Sequence, residues 1–164
     1  MEPITYQLQG MPNGKAGVRF TLRKMGDIAN AYKTDPTIRE LAIRIIANVP
    51  EKSWHGQARA ILRFVQERIK YLEDVVGVET LQTPIQTLRL GHGDCDDKSI
   101  LFASLMMAIG KPVRFVAIGR VKGHFEHVFP QVKIGNEWVS AEIIYRWPLG
   151  KTPPNFQDYM EHHI

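Results

Sequence analysis

The sequence predicts an α+β fold in which one buried helix packs on an antiparallel β-sheet. Apolar residues recur with helical spacing in the first part of the chain, and hairpin-linked apolar runs follow in the last third. Between them, residues 100–110 are apolar nearly all round, which is typical of a central, buried helix. Helices followed by consecutive strands are the pattern of the α+β class.

The N-terminal part is predicted to contain an extended arm and then a helix. Residues 17–22 alternate apolar with polar side chains after the turn-like Pro12 to Gly14, which favours an edge strand or arm. Asp35 followed by Pro36 predicts an N-cap and the first turn of a helix, whose apolar positions recur until Pro50.

The middle of the chain is predicted to hold a second helix and a long connection. Helical spacing extends from Ser53 or Trp54 to about Lys70. Residues 72–93 contain several glycines and a proline, so we expect a connection there, with one turn of helix at residues 84–88. Connections of this length inside compact domains are often functional.

The segment GDCDDKS, residues 93–99, marks the start of the buried helix. Two acidic residues in a first turn, an apolar body and the stop signal Gly110 to Pro112 predict a helix that begins at Cys95 or Asp96. Strands are then predicted, followed by a fraying end at residues 158–164. The strand ranges are 113–118, 127–134 and 137–144, the last two joined by a hairpin at Gly135-Asn136.

Composition excludes several classes of protein. The 164 residues are 44% apolar and 23% charged, as in ordinary globular domains and unlike disordered or coiled-coil chains. The net charge is +4, but the basic residues are scattered, so no nucleic-acid partner is expected. The start of the chain lacks a signal peptide pattern and no apolar run approaches the ~20 residues of a membrane span, so we expect no membrane association.

Cys95 is the single cysteine of the chain, which excludes an internal disulfide and a multi-cysteine metal site. A thiol at a helix N-terminus experiences the positive end of the helix dipole, which lowers its pKa. The neighbouring Asp94, Asp96 and Asp97 act in the opposite direction, so a nearby imidazolium would be needed to produce a thiolate. The alternative is that Cys95 is a small, buried apolar residue.

His127 and Glu142 are candidate partners of this thiol. They lie on the last two predicted strands, across the Gly135-Asn136 turn, and neighbouring antiparallel strands can place an imidazole beside a carboxylate. The order is then nucleophile, base and orienting carboxylate. Glu142 stands in an apolar segment, where an inward charge costs stability unless it has a partner.

Three alternatives stay open for the residues around Cys95. His124, beside Gly123 in a turn, is the second choice for the histidine. Trp138 is a candidate wall of the thiol and imidazole pair. Metal ligation is the rival chemistry, although residues three apart in a strand point to opposite faces, so we expect no metal and no cofactor. Its ligands would come from His92, Cys95, Asp97, His124 and His127.

Four segments, residues 93–98, 108–115, 127–129 and 138–142, together resemble the transglutaminase-like superfamily of papain-type cysteine enzymes. The resemblance covers about residues 55–150 and implies a papain-like, transglutaminase-like core. It also implies Cys95 as nucleophile, His127 as general base and Glu142 in the place of the usual Asp. We therefore expect a single transglutaminase-like domain over residues 1–164, with an N-terminal arm and helix in 1–50 and a catalytic core in 51–150.

Residues 68–71 and 77–84 are similar to a subgroup of these proteins found in tailed bacteriophages and prophages. The resemblance implies cysteine-dependent acyl transfer on a carboxamide or peptide bond of a protein or peptide substrate, without the calcium sites of animal transglutaminases. Phage virion or assembly proteins are candidate partners, and the expected location is the bacterial host cytoplasm or the virion. The alternative is a non-catalytic phage structural or adaptor protein that retains the fold.

Overall fold

The computed structural model describes residues 5–8, 14–75 and 79–164. Its helices are α1 (Gly14–Tyr32), α2 (Pro36–Ile46), α3 (Trp54–Arg68), α4 (Pro84–Leu90) and α5 (Cys95–Ala108). Its strands are β1 (Thr5–Gln7), β2 (Lys70–Tyr71), β3 (Thr80–Gln82), β4 (His92–Gly93), β5 (Val113–Gly119), β6 (His127–Ile134), β7 (Glu137–Ser140) and β8 (Asp158–His163). The turn predicted at Pro12-Asn13 and part of the segment 77–84 lie outside the described residues.

The main sheet has four antiparallel strands in the order β7-β6-β5-β8. Two smaller pairs accompany it: β1 runs antiparallel to β3, and β2 runs parallel to β4. The predicted hairpin between β6 and β7 is present, with Ile134 opposite Glu137 and Gly135 at a φ of 64°. The α+β class and the packing of a helix on an antiparallel sheet are therefore confirmed.

Helix α5 lies at the centre of the fold. Its residues from Asp96 to Met106 are all buried, and it packs against α1, α2, α3 and α4 on one side and against β5 and β6 on the other. An apolar body without a polar face allows this placement, because every side of the helix meets another element. The cysteine at its first position is thus held between the helical layer and the sheet.

Capping residues fix the helix starts that the sequence indicated. The Asp35 carboxylate accepts hydrogen bonds from the backbone N–H groups of Thr37 and Ile38, with Pro36 in the first turn of α2. At α5, the Asp94 side chain accepts from Asp97 N–H while the Asp97 side chain accepts from Asp94 N–H, a reciprocal capping box. Both predicted starts are confirmed.

Two terminal segments differ from the expectation. Residues 17–22 belong to helix α1 and not to a strand, because Leu22, Met25 and Ile28 bury a helical face against the core. So short an alternation in residues 17–22 is compatible with the period of a strand and with that of a helix, and packing against the core selects the helix. Residues 158–163 form the edge strand β8 beside β5, anchored by the buried Met160.

No helix within the described ranges is both long and apolar enough to cross a bilayer.

Candidate active site

Cys95 is the first residue of α5, is half-buried, and lines a cleft between α1 and the start of β6. The Sγ atom lies 3.7 Å from Oδ1 of Asp96. The backbone N–H of Val128, in β6, is positioned to donate to the sulfur. The helix start therefore brings the thiol to the strand that begins with His127.

Burial raises the pKa of the Cys95 thiol well above its ordinary value, and the charges of Asp96 and Asp94 raise it further. The Val128 N–H acts in the opposite direction. The position at a helix N-terminus thus does not by itself give a thiolate. A positive partner is needed, as the three neighbouring aspartates led us to expect.

His127 occupies the first position of β6 and contacts Glu142. Its Nε2 atom lies 2.7 Å from Oε2 of Glu142, and its ring stacks on Phe129 with centroids 5.9 Å apart. The Glu142 side chain is fully buried, and its Oε1 accepts from the backbone N–H of Ile144 at 2.9 Å. Among the described residues nothing hydrogen-bonds to Nδ1 of His127, so this ring nitrogen is available to another group.

Glu142 lies two residues beyond β7 and not within a strand, which corrects the prediction of a strand over residues 137–144. Sheet pairing ends at Ala141, whose N–H donates to the carbonyl of Pro130. The next segment turns away from the sheet and is held by Gln66 of α3. The Nε2 atom of Gln66 donates to the backbone carbonyls of Glu142, Tyr145 and Trp147 at 2.8, 2.9 and 3.0 Å.

Gln66 is a residue that the sequence analysis missed. It lies in a regular amphipathic helix, where a glutamine is an ordinary surface residue, and no local signal marks its contact with a segment 76 residues further along the chain.

Lys98, in the first turns of α5, is a second residue whose role the sequence did not indicate. It is 1% exposed, donates through Nζ to the Ile69 carbonyl at 2.7 Å, and burial lowers its pKa to about 8 while the Glu142 carboxylate opposes that shift.

Cys95 and His127 line the same cavity, which has a volume of about 430 Å³. Its other walls come from the N-terminal half of α1, from the segment before β3 and from the loop before β6. The other residues that line it are Gly14, Gly17, Val18, Thr21, Leu22, Glu79, Asp94, Asp96, Ala117, Phe125, Glu126 and Val128. A substrate group in this cavity would contact both the thiol and the imidazole.

A second cavity, of about 500 Å³, lies on the other side of His127 and has an aromatic wall. Tyr145 stacks on Trp147 with centroids 5.2 Å apart, and the half-exposed Tyr71 also lines this cavity. Burial, a hydrogen bond to Glu73 and the nearby charge of Cys95 raise the pKa of Tyr71. His127 and Glu126 line both cavities, which therefore adjoin at the imidazole and are together called the groove below.

Carboxylates crowd the thiol side of this groove. Burial and the like charges of its neighbours raise the pKa of Asp94 to about 9 and that of Asp96 to about 7. Burial also raises the pKa of Asp97 and of Glu79, although backbone hydrogen bonds from Gln82 and Asp94 act in the opposite direction at Asp97. The negative charges therefore disfavour one another and the thiolate.

The alternatives considered for the site do not fit the geometry. His124 is exposed and lines neither cavity, and Trp138 packs on His163 and Arg114 away from the groove. Within the described ranges, the three metal-ligating side chains that come together are Asp74, Asp94 and Asp97, with no histidine or cysteine among them. The proposed ligand set around His92 and His127 is therefore not assembled.

Neither of the two glutamines that precede Cys95 most closely in the chain is placed to stabilise an oxyanion beside the thiol. Gln82 accepts from the Thr87 hydroxyl in the interior, and neither Gln82 nor Gln86 lines either of the two cavities. The backbone N–H of Cys95, at the open first turn of α5, stays available as a donor in the cavity.

Comparison with known proteins gives one family. The family model of the transglutaminase-like superfamily matches residues 39–143, which include Cys95, His127 and Glu142. No curated protein sequence matches the chain.

Two solved structures share the fold. One, a candidate cysteine protease from Cytophaga hutchinsonii, has a TM-score of 0.53 at 17% identity, over 68% of this chain and 38% of that one. The other, a candidate protease from Parabacteroides distasonis, has a TM-score of 0.59 at 9% identity, over 86% of this chain and 31% of that one. The chain thus spans about a third of the length of these structures.

Proposed function

The chain belongs to the transglutaminase-like superfamily, and from this premise we propose that it catalyses cysteine-dependent acyl transfer on a carboxamide or peptide bond. Cys95 is the nucleophile, His127 the general base and acid, and Glu142 the residue that orients the imidazole. The substrate is a protein or peptide. The observation that carries the proposal is the groove in which Cys95 and His127 share one cavity while a buried Glu142 holds Nε2 of His127 at 2.7 Å.

In this proposal the imidazole takes the thiol proton through Nδ1, because Nε2 is engaged by Glu142. The carboxylate supports the imidazolium that forms and fixes the ring, as the third group of a catalytic triad does. The imidazolium then supplies the positive partner that the Cys95 thiolate needs between Asp94 and Asp96. This account explains how a thiol with a raised pKa can still act as a nucleophile.

The thiolate sulfur attacks the carbonyl carbon, and the electron pair of the C=O bond moves to oxygen. The Cys95 N–H at the helix start is placed to stabilise this oxyanion. Collapse of the intermediate breaks the C–N bond, and the imidazolium gives its proton to the leaving amine or ammonia. Water or a second amine then attacks the thioester, and His127 accepts the proton of this nucleophile. The C–S bond breaks, and the imidazolium returns the proton to the Cys95 sulfur, which regenerates the thiol.

The second candidate function is that of a non-catalytic structural or adaptor protein that keeps the fold. The raised pKa of Cys95 favours this alternative, because an isolated thiol of that kind is unreactive.

We also propose that the chain is a member of the phage and prophage subgroup, which the resemblance of residues 68–71 and 77–84 supports. Virion or assembly proteins would then be partners, in the host cytoplasm or in the particle.

The test is to trap the thioester. The protein is incubated with a mixture of tryptic peptides, quenched in acid and measured by intact mass spectrometry, with Cys95→Ala as the control. We expect an acyl adduct on Cys95, together with either new peptide ends or products that have lost ammonia by transfer to an amine. If the adduct is absent and the peptides are unchanged, the non-catalytic alternative is correct.

A further inference from the structure

We infer that the cavity around Cys95 binds a positively charged group of the substrate, and that the Asp96 carboxylate determines this specificity. The inference deepens the proposed function and rests on it in one respect, since the cavity is taken to be where the substrate meets the thiol. The group would be an ammonium or guanidinium at the end of an aliphatic chain.

The first observation is the charge of the cavity. Four carboxylates line it, from Glu79, Asp94, Asp96 and Glu126, whereas His127 is the single basic side chain among its described lining residues. Glu126 is paired with the exposed Arg120 at 2.7 Å, so the unpaired charges are those on the thiol side of the cavity. The chain as a whole carries a net charge of +4, so this group of acidic side chains is local, although Asp94, with a pKa of about 9, is protonated near neutral pH. A cleft lined by one sign of charge raises the local concentration of ligands of the opposite sign.

The second observation is that Asp96 has almost no partner of its own. Its side chain is 8% exposed and lines the cavity, and its one hydrogen-bond contact is the Cys95 thiol at 3.7 Å. It forms no ion pair with any described residue. When Cys95 gives its proton to His127, that donor is lost, and a buried carboxylate then lies directly beside a thiolate.

A bound cation would reduce both the penalty of burying the Asp96 carboxylate and its repulsion of the thiolate. Burial and the charges of Asp97 and Glu79 raise the pKa of Asp96 to about 7, so its charged form is disfavoured in the empty cavity. A positive group within hydrogen-bond distance would favour the carboxylate and reduce its repulsion of the thiolate. The substrate would thus compensate the Asp96 carboxylate, with which no described residue forms an ion pair, while the His127 imidazolium compensates the thiolate.

The shape of the cavity indicates an aliphatic stem behind the charge. Val18, Leu22 and Phe125 form an apolar wall, and Gly14 and Gly17 leave space where α1 approaches the cleft. Long basic side chains place their methylene groups on apolar surface and their charge at a polar end. The lysine or arginine side chain of a protein or peptide substrate has this chemistry.

The test uses two thiol reagents of similar size and opposite charge: the 2-(trimethylammonio)ethyl and the 2-sulfonatoethyl methanethiosulfonates. In each reaction the Cys95 thiolate attacks the sulfenyl sulfur, an S–S bond forms, and methanesulfinate leaves. Both rates are divided by the rates with 2-mercaptoethanol under the same conditions. At low ionic strength we expect the cationic reagent to be favoured by ~10-fold or more, with the preference reduced by added salt.

Asp96→Asn should remove most of this preference, whereas Glu137→Gln, at an exposed position outside the cavity, should leave it unchanged. If Asp96→Asn does not fold, Glu79→Gln, at the exposed rim, should still reduce the preference. A native protein without charge preference, or one that favours the anionic reagent, would overturn the inference. Loss of preference in Glu137→Gln would also overturn it.

A protection experiment identifies which chemical group supplies the positive charge. Nα-acetyl-lysine amide should slow alkylation of Cys95 by the neutral reagent iodoacetamide, and Nα-acetyl-norleucine amide should not. Protection by n-pentylammonium alone would assign the charge to a free amine and would contradict the side-chain assignment. The result is separable from the proposed function: a charge preference without any acyl adduct rejects the catalytic proposal, and an acyl adduct without charge preference rejects the inference.

Discussion

Nε2 of His127 lies 2.7 Å from Oε2 of Glu142, whose side chain has no exposed surface. The second carboxylate oxygen accepts from Ile144 N–H at 2.9 Å, so both oxygens are held. A Glu reaches the ring here because it stands beyond the end of β7, where the backbone has already left the sheet.

Glu142→Gln should lower the rate of Cys95 alkylation by ~10-fold or more, because an amide can hydrogen-bond the ring but no longer supports the imidazolium that keeps the thiol ionised. The measurement is the iodoacetamide rate at pH 6, followed by mass spectrometry. An unchanged rate would assign Glu142 a structural role only.

The same variant should lose stability mainly below pH 8. Lys98 has a folded pKa of about 8, below its ordinary value, and Glu142 is the charge that opposes this shift. Below that pH Lys98 is charged in the wild type, and removal of Glu142 leaves it without compensation. Above pH 8 Lys98 loses its proton, so the difference in melting midpoint between wild type and variant should become smaller with rising pH.

Gln66→Ala should reduce the reactivity of Cys95 although Gln66 lines neither of the two cavities beside His127. Its amide donates to three carbonyls of the segment that carries Glu142, and loss of such a donor costs roughly 1–3 kcal/mol. The measurement is the alkylation rate together with the melting midpoint. Gln57→Ala, in the same helix, is the matched control and should leave the alkylation rate unchanged.

Asp94→Asn should stabilise the fold at pH 8 but not at pH 4. Burial raises the folded pKa of Asp94 to about 9, whereas the unfolded carboxyl ionises near its ordinary value, so the folded state binds the extra proton between these two pH values. Unfolding therefore becomes more favourable as the pH rises through this window. An Asn is neutral throughout and can still accept from Asp97 N–H.

The melting midpoint at pH 8 should rise by ~2–4 °C for each kcal/mol that Asp94→Asn adds to the free energy of unfolding. Asp35→Asn, at the half-buried N-cap of α2, is the control for replacing a capping aspartate. A gain at Asp94 that does not depend on pH, or one matched by Asp35→Asn, would contradict the account of the buried carboxylates.

Gly119→Ala should destabilise the protein and disturb the loop that precedes His127. A Cβ atom at Gly119 would overlap the backbone carbonyl of His124 and lie 3.2 Å from the Cα of Phe125, and backbone atoms cannot move aside as side chains do. We expect a loss of about 1–3 kcal/mol or more, with slower alkylation of Cys95. Gly123→Ala, in the same loop, would meet no neighbouring atom and should cost less, about 1–2 kcal/mol, because its φ of 80° is strained for alanine.

The helix starts could be predicted from the sequence, because they depend on local signals. Asp35 with Pro36 and Asp94 with Asp97 are caps that act within one turn of chain. The all-round apolar body of α5 likewise defines its own central position. The hairpin at Gly135 follows from a glycine with positive φ between two apolar runs.

The parts of the fold and of the site that could not be predicted from the sequence depend on contacts between distant segments. The helix over residues 17–22 and the strand over 158–163 are selected by packing, since both segments are short and locally ambiguous. Gln66 and Tyr71 reach the site only through the fold, and no spacing in the chain marks them. The strong increase in the pKa of Cys95 also comes from tertiary burial, which a helix N-terminus in a sequence does not reveal.

The central claim is that His127 makes Cys95 reactive despite its burial among carboxylates, and the most direct test is the pH dependence of iodoacetamide alkylation in the wild type and in His127→Ala. The account predicts that the wild-type thiol reacts at pH 6 much faster than free cysteine, and that His127→Ala reacts more slowly than free cysteine at this pH, because the raised pKa of the thiol is then unopposed. Equal rates in the two proteins, both no faster than free cysteine, would contradict it.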